Sequence, residues 1–425
     1  MSLAGTLEKL YARRRFGIRP GLDRVRTLLD RLGNPEQSFR SVHVVGTNGK
    51  GSTSAFLSSI LQSAGYRTAL FSSPHLVNFN ERFRINGQDI SSDKLSLLLD
   101  TVLTNAPDET TFFEIVTALA ALSFAEEHVD VAVMEAGMGG RSDATAAIPG
   151  IMTVITPISL DHSDYLGTTL AEIAIEKSGI TEPGTPLVAA LQAHEVFTVI
   201  REHCLRGNNM LRCADQDFSA AWSNDGTIAY RGISATLSRL KSGIPGRYQA
   251  ENAALALAAA EVLACSGLVI PDSALTTGIS SAHWPGRMEL VSGQPNILLD
   301  GAHNPAGAIV LAEALGDCSY RRLFLVTGVM ADKDVRQIFV PLADKVHRAY
   351  AVAPAVERAL DDTVLAGILN NSGIDTTACG SVGNGITLAR LDAEEDDLIL
   401  ICGSLFTVGE AKAWLAGTHY EGIRG

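Results

Sequence analysis

A chain of 425 residues is too long for one ordinary core and implies two or three domains. With 46% hydrophobic and 19% charged residues it has ample material for burial. Its formal net charge of −13 excludes a general binder of nucleic acid or of anionic membranes, since both partners need a cationic face, so an anionic substrate must be met by local positive groups. Short β-rich apolar runs alternate with alanine- and leucine-rich amphipathic segments, the pattern of βαβ units around a mostly parallel sheet. In chain order, strands are predicted at SVHVV (41–45), RTALFS (67–72), VDVAVME (129–135), IMTVITPI (151–158) and PLVAA (186–190), with helices at 52–64, 111–127 and 169–178. From about 209 to 241 the pattern turns short and polar, which predicts small antiparallel strands with a tight turn at Asp225 and Gly226, before a long helix at 248–263. After HWPGRMEL (283–290) the alternation restarts with NILLD, RRLFLVTGV, RAYAVA and DLILICGS. A boundary between Pro285 and Gly286 divides the chain into a larger α/β domain, 1–285, and a smaller one, 286–425.

The six cysteines, Cys204, Cys213, Cys265, Cys318, Cys379 and Cys402, are scattered and include no CxxC pair. Buried thiols in a reducing cytoplasm are therefore expected, rather than a zinc site or a disulfide framework. The opening MSLAGTLEKLYARRRFGIRP lacks the apolar core of a signal peptide, and no apolar run approaches the ~18 residues of a membrane span. The expectation is a cytoplasmic protein without membrane partners.

VHVVGTNGKGST (42–53) places three glycines and a lysine between a strand and a helix start. Glycines let backbone N–H groups approach phosphate oxygens, the helix N-terminus adds positive potential, and the lysine supplies a full charge. The usual spacing is G-x-x-x-x-G-K-[ST]; here position 44 is Val and Gly51 separates Lys50 from Ser52. A plain glycine-rich turn with a solvated lysine is the alternative. Further along lie SSPHLVNFNERFRING (72–87), TFFEIVTALA (111–120), MEAGMGGRSDAT (134–145), ISLDHSDYLG (158–167), EKSGI (176–180), PGRMEL (285–290) and DGAHNPAGA (300–308). Together with GTNGKGS, and in this order, these stretches resemble the folylpolyglutamate synthase/dihydrofolate synthase family of the Mur ligase superfamily. The resemblance implies an N-terminal P-loop ATPase domain carrying the pteroate or folate site on a mostly parallel sheet, followed by a Rossmann-like glutamate-ligase domain.

Triphosphate chemistry needs a divalent cation, and magnesium prefers oxygen ligands. Glu135 ends a predicted buried strand just before a Gly-rich turn, where ligand sites of parallel sheets collect, unless it reaches solvent or pairs with Arg141. The resemblance implies Ser73, Glu135 and His162 as magnesium ligands, although a lone histidine after a strand is more often a loop hydrogen-bonding residue. Lys177, near a helix end, could simply complement the helix dipole. The family implies instead that its amine is carbamylated and serves a second magnesium, which requires a deprotonated amine favoured by burial. Lys50, His162 and Lys177 are thus the implied catalytic groups, and the family leaves room for a monovalent cation.

For ATP the resemblance implies Thr47, Asn48, Gly49, Lys50, Gly51 and Ser52 on the phosphates, with Asn252, Arg287, Asp300 and His303 around the nucleotide in an interdomain cleft. His303 and Asn304 equally fit a turn with an Asn cap. For the pterin it implies Ile18, Arg19 and Pro20 in FGIRPGLDRV, the Phe112, Phe113 and Glu114 segment, and Ser142, Asp143 and Ala144. Two adjacent phenylalanines on a helix are usually core, so one of the two is expected to face ligand, offering a stacking surface beside the Glu114 carboxylate.

The implied reaction joins L-glutamate to a carboxylate of dihydropteroate or of a reduced folate through an acyl phosphate, at the expense of ATP. Tail extension alone, a P-loop regulatory NTPase and a cell-wall Mur ligase are the competing readings. The last is disfavoured because only 45 residues precede Gly46, too few for another α/β domain. A monomer is expected.

Overall fold

Buried strands here read as nearly continuous apolar runs because both faces of the sheet are covered. The computed structural model describes residues 3–13, 17, 19, 21–161 and 163–422; Ile18, Pro20 and His162, named above, lie outside the described residues. β1 (Arg40–Val45), β2 (Thr68–Phe71), β3 (Phe83–Ile85), β4 (Gln88–Asp89), β5 (Val131–Glu135), β6 (Gly150–Ile155), β7 (Leu187–Ala189) and β8 (Leu211–Cys213) make one sheet, in the order β4-β3-β2-β5-β1-β6-β7-β8. From β2 to β8 the pairings are parallel; β3 and β4 are antiparallel additions at one edge. Alternate residues of β5 feed two cores. Val131 and Val133 pack with helices Lys50–Ser63, Gln249–Cys265 and Asp272–Ser281, whereas Ala132 and Met134 pack with Leu3–Tyr11, Asp23–Arg31, Ser92–Asn105 and Phe112–Glu126.

A small antiparallel sheet, β9 (Ser219–Trp222), β10 (Ile228–Arg231) and β11 (Thr236–Leu240), follows in the order β11-β10-β9. The turn between β9 and β10 uses Asp225, whose Oδ1 accepts from the Thr227 hydroxyl at 2.6 Å, and Gly226 at φ 74°. This polar region also supplies an element that the sequence did not separate from it: Leu211–Cys213 is apolar enough to join the main sheet, parallel to β7. The second large sheet contains β12 (Glu289–Val291), β13 (Asn296–Leu299), β14 (Leu323–Thr327), β15 (Val346–Ala351), β16 (Thr376–Ala378) and β17 (Leu398–Cys402), in the order β12-β13-β17-β14-β15-β16. Only β12 runs antiparallel.

The β3–β4 hairpin was not predicted, although its Asn86-Gly87 turn is legible. Both residues have positive φ, 48° and 75°, the conformation that twists two strands correctly at a two-residue loop. The thiols differ from expectation as well: Cys204, Cys213 and Cys402 are buried, but Cys265 is exposed at the end of its helix and Cys318 and Cys379 are half-buried. No helix among the described residues is long and apolar enough to cross a membrane.

One carboxylate fastens the small sheet to the body. Glu261, on the helix Gln249–Cys265, accepts from the Tyr230 hydroxyl at 2.5 Å and from the backbone of Ile233, Ser234 and Ala235 at 3.0, 2.8 and 2.6 Å. Removing it strands these donors, at ~1–3 kcal/mol for an unsatisfied group. Glu261→Ala is expected to destabilise the protein by about 3 kcal/mol, read as a lowered urea midpoint, with Glu261→Gln recovering part of the loss.

Candidate active site

The C-terminal ends of β1, β5 and β6 open at one edge of the main sheet, where the chain order reverses around β1 and a crevice forms. Out of β1 comes the glycine loop. Gly49, at φ 86°, precedes the helix Lys50–Ser63, and no side chain caps that helix start, so its first-turn N–H groups are left for an anion. A Cβ on Gly49 would meet Asn252 Oδ1 at 2.4 Å, which seats Asn252 against the loop, steadied by its own bond to Gln249 at 2.8 Å. A Cβ on Gly51 would meet the Trp284 indole at 2.7 Å. The extra glycine in the motif is therefore where a tryptophan from the segment between the two large sheets packs on the loop.

Two of the loop residues assigned to phosphate are committed elsewhere. The Thr47 and Asn48 amides both donate to the Pro157 carbonyl, at 3.0 and 3.4 Å, and the Thr47 hydroxyl donates to the Ser159 carbonyl at 3.1 Å. Asn48 exchanges a reciprocal pair of amide hydrogen bonds with Asn304, at 3.2 and 2.9 Å, tying the loop to the second unit. Asn304 also caps the helix Pro305–Ala314 by accepting from the Gly307 N–H at 2.8 Å. The helix-cap reading and a bridging role thus hold together.

Three charges converge behind the loop. Lys50 Nζ donates to the carbonyls of Gly46 and Thr47 at 3.2 and 3.1 Å, and Lys177 Nζ, with its side chain buried, donates to Gly46 at 2.7 Å. Burial, and then the like charge of Lys50, brings the Lys177 amine down to about 7, with Asp143, Asp161 and Glu176 pulling the other way. Burial pushes Glu135 up to about 7, opposed by Lys50, Arg287, the Ser73 N–H and Arg82. Arg141 is absent from that set, so the alternative of a Glu135–Arg141 pair is not the one found.

Ser73, Glu135, Trp284 and Arg287 line one cleft. A buried carboxylate that has no ion pair among the described residues, beside a hydroxyl in a cleft, suits a hard divalent cation that keeps several waters. Among the described residues no cluster of three or more His, Cys, Asp or Glu side chains surrounds a metal-sized space.

Asp300 accepts from the Tyr248 hydroxyl at 2.9 Å, the Met288 N–H at 3.0 Å and the Ala302 N–H at 2.9 Å, so its carboxylate braces the start of the second unit. His303 donates from Nδ1 to the Gly301 carbonyl at 2.8 Å, and its Nε2 stands 3.9 Å from Asp161; desolvation holds it neutral. Sequence reading did not single out Lys333, which pairs with Asp161 at 2.7 Å across the two units. Nor did it single out Arg82, buried with its Nε donating to His75 Nδ1 at 2.9 Å and desolvated down to about 10. The charged DKD run after β14 (332–334) is the signal that could have marked Lys333.

The substrate residues divide. Phe112 is core, stacked on Tyr11 at 5.9 Å, and Phe113 is the half-buried ring, packed over Gly137. Glu114 has structural work: it closes a capping box with Thr111 and pairs with Arg24 at 2.9 Å. Asp143 accepts from the Met138 and Thr145 amides at 2.8 and 3.0 Å, holding a turn and leaving Ser142 exposed beside buried Ala144. Arg19 is largely exposed and pairs with Glu109 at 2.8 Å.

With this geometry in view, the comparisons are specific. Residues 44–260 match the Mur ligase middle domain, and residues 286–405 match the Mur ligase glutamate ligase domain. The class is therefore the Mur ligases, and the chain is an ATP-dependent ligase. The dihydrofolate synthase/folylpolyglutamate synthase of Bacillus subtilis is 36% identical over 421 residues, 95% of this chain and 96% of that one. Within the class the chain belongs to this dihydrofolate synthase/folylpolyglutamate synthase family. A probable bifunctional folylpolyglutamate synthase/dihydropteroate synthase of Halobacterium salinarum is also 36% identical, over 96% of this chain, and the chain spans 51% of its length. The solved structure of Escherichia coli FolC in complex with DHPP and ADP aligns at a TM-score of 0.90, with 31% identity and 98% coverage of both chains. A bifunctional folylpolyglutamate synthase/dihydrofolate synthase from Yersinia pestis, solved with AMPPNP and Mn ion, gives 0.88, 31% and 98% of both.

The displaced Glu135 titration makes a pH prediction. Glu135 binds its proton more tightly folded than unfolded, so its contribution to stability is intact below pH 4.5 and falls as pH rises through about 7, by about 3 kcal/mol. Glu135→Gln is expected to raise the unfolding temperature of the ligand-free protein at pH 8 and to change it little at pH 4.5. A saturating divalent cation should narrow the difference at pH 8.

Proposed function

We propose that the chain ligates L-glutamate to dihydropteroate and to tetrahydrofolate, converting ATP to ADP and phosphate. The observation that supports this most directly is the half-buried Lys50 beside the buried Lys177 and Glu135, behind an uncapped helix start. A carboxylate is unreactive toward an amine at neutral pH, so phosphorylation must come first; the resulting acyl phosphate then yields to the glutamate amine and phosphate leaves. The first-turn N–H groups of the helix and the Lys50 ammonium stabilise the negative charge that develops during this transfer. Ser73 and Glu135, with His162, would hold a magnesium ion, which supplies charge neutralisation at the phosphates. Arg287, which shares a cleft with Gly51, and Asn252, which abuts Gly49, are the proposed contacts of the nucleotide. Phe113 offers the stacking face for a pterin. We place the division between ATPase and glutamate-ligase domains between Pro285 and Gly286, at the segment whose Trp284 touches the phosphate loop.

With ATP, magnesium and L-glutamate, mass analysis is expected to show one glutamate added to dihydropteroate and to tetrahydrofolate. Addition to tetrahydrofolate alone would reduce the function to tail extension, and ATP hydrolysis indifferent to both acceptors would point to a regulatory NTPase.

Lys177 is proposed to react with carbon dioxide, its neutral amine attacking the carbon and releasing a proton to leave a carbamate. A buried amine lowered to about 7 supports this, because half of it is already neutral near that pH. Lys177→Ala should lose at least a hundredfold in rate and recover in part with added short-chain carboxylate. Full activity in that variant would sink the idea.

A further inference from the structure

Beside the active cleft runs a second cavity of about 420 Å³, open to solvent. Ser58, Ser59 and Gln62 of the phosphate-loop helix form its floor, Gln88 of the β3–β4 hairpin one wall, and Ser281 and His283 the other. Arg84 on β3 lines both this trough and the cleft that holds Ser73 and Glu135, so the two spaces meet at its guanidinium.

Arg84 is unusually placed for a surface arginine. Its side chain is only 13% exposed, and its Cζ stands 4.9 Å over the Trp284 ring. Its Nε donates to Asp89 at 2.9 Å, and among the described residues nothing accepts from its two terminal nitrogens. A guanidinium fixed by stacking, with two donors in reserve, is built to receive a carboxylate in a fork. The rest of the lining is amide and hydroxyl, apolar surface from Ala55, Leu70 and Ala282, His283, and the Asp89 carboxylate that Arg84 Nε already engages.

The proposed reaction needs such a passage. The activated carboxylate must always lie at the phosphate site, yet each γ-linked glutamate lengthens the acceptor by about 6 Å at ordinary bond lengths. A ring held beside Phe113, on the opposite face of the sheet, suits the shortest acceptor only. Longer acceptors must bring their terminal carboxylate to the same point along another path, and each added unit carries one free α-carboxylate.

We infer that the trough receives the γ-glutamyl tail of acceptors bearing more than one glutamate, and that Arg84 holds an α-carboxylate of that tail. This rests on the ligation proposed above. The incoming amino acid has the same carboxylate chemistry, so the test separates the two sources.

The full chain is assayed with dihydropteroate and with mono-, di- and triglutamyl tetrahydrofolate, recording KM for each acceptor and for L-glutamate and resolving products by mass. Arg84→Gln should raise KM for the triglutamyl acceptor at least tenfold and leave KM for L-glutamate within twofold. Ser59→Trp, a bulky change at a half-buried position on the trough floor, should shorten the product ladder while dihydropteroate is used at the wild-type rate. Unchanged ladders in both variants, from an active wild type, would overturn the tail passage alone. A raised KM for L-glutamate with acceptor constants unmoved would overturn it in favour of the incoming amino acid. A wild type that adds glutamate to no acceptor would overturn the ligase reading and the tail passage together.

Discussion

The energetic problem around which the site is organised is the gathering of like and unlike charges, Lys177 and Glu135 buried among them, at the ends of two neighbouring strands. Lys50 and Lys177 both donate to the Gly46 carbonyl, and among the described residues Glu135, at the end of the neighbouring strand, forms no ion pair that would repay its desolvation. Such an arrangement is unfavourable in isolation, because a carboxylate moved from water to a low-dielectric interior loses more than distant charges return. The surrounding core carries that cost: β1 and β5 are buried along nearly their whole length between two helical layers. A polyanion and a divalent cation would add the charges that the protein leaves unbalanced. Binding and folding are therefore coupled through the same few groups.

The second unit completes the site by contact rather than by a catalytic cluster of its own. Asn304 reaches the loop through Asn48 and Lys333 reaches Asp161, while Trp284, in the segment that leads into the second unit, fills the space left by Gly51. Each touches the rim of the phosphate loop or the segment after β6. Any relative movement of the two units must then alter the loop, which suits an enzyme that assembles its site upon closure.

Much of the fold was legible because its main determinants are local. The five strands predicted in the first unit and the helices between them carry their own periodicity, and the Asp225-Gly226 turn its own chemistry. Leu211–Cys213 was blurred into the polar insertion because three residues are too few for a pattern, and its pairing with β7 is a tertiary choice. At the site, the motif marked Lys50, Glu135 and Lys177, but a motif does not say which atoms are already spent. Thr47, Asn48, Glu114, Asp143 and Asp300 all satisfy backbone or neighbouring side chains, and only coordinates reveal such prior commitments. Trp284 and Arg84 were invisible for the opposite reason: they are far apart in sequence and become a pair through stacking.

Two of the links between the units differ in kind. The Asn48–Asn304 pair is uncharged on both sides, so neither acid nor salt has a handle on it, whereas the Lys333–Asp161 pair, its side chains 15% and 10% exposed, is an attraction between full charges that dissolved ions weaken in part. The junction thus has one fastener that keeps its grip in any buffer and one whose tension follows ionic strength. Salt would act first on the more exposed Arg247–Asp317 pair between the units and less at Asp161, leaving the amide pair at the loop as the contact it does not weaken.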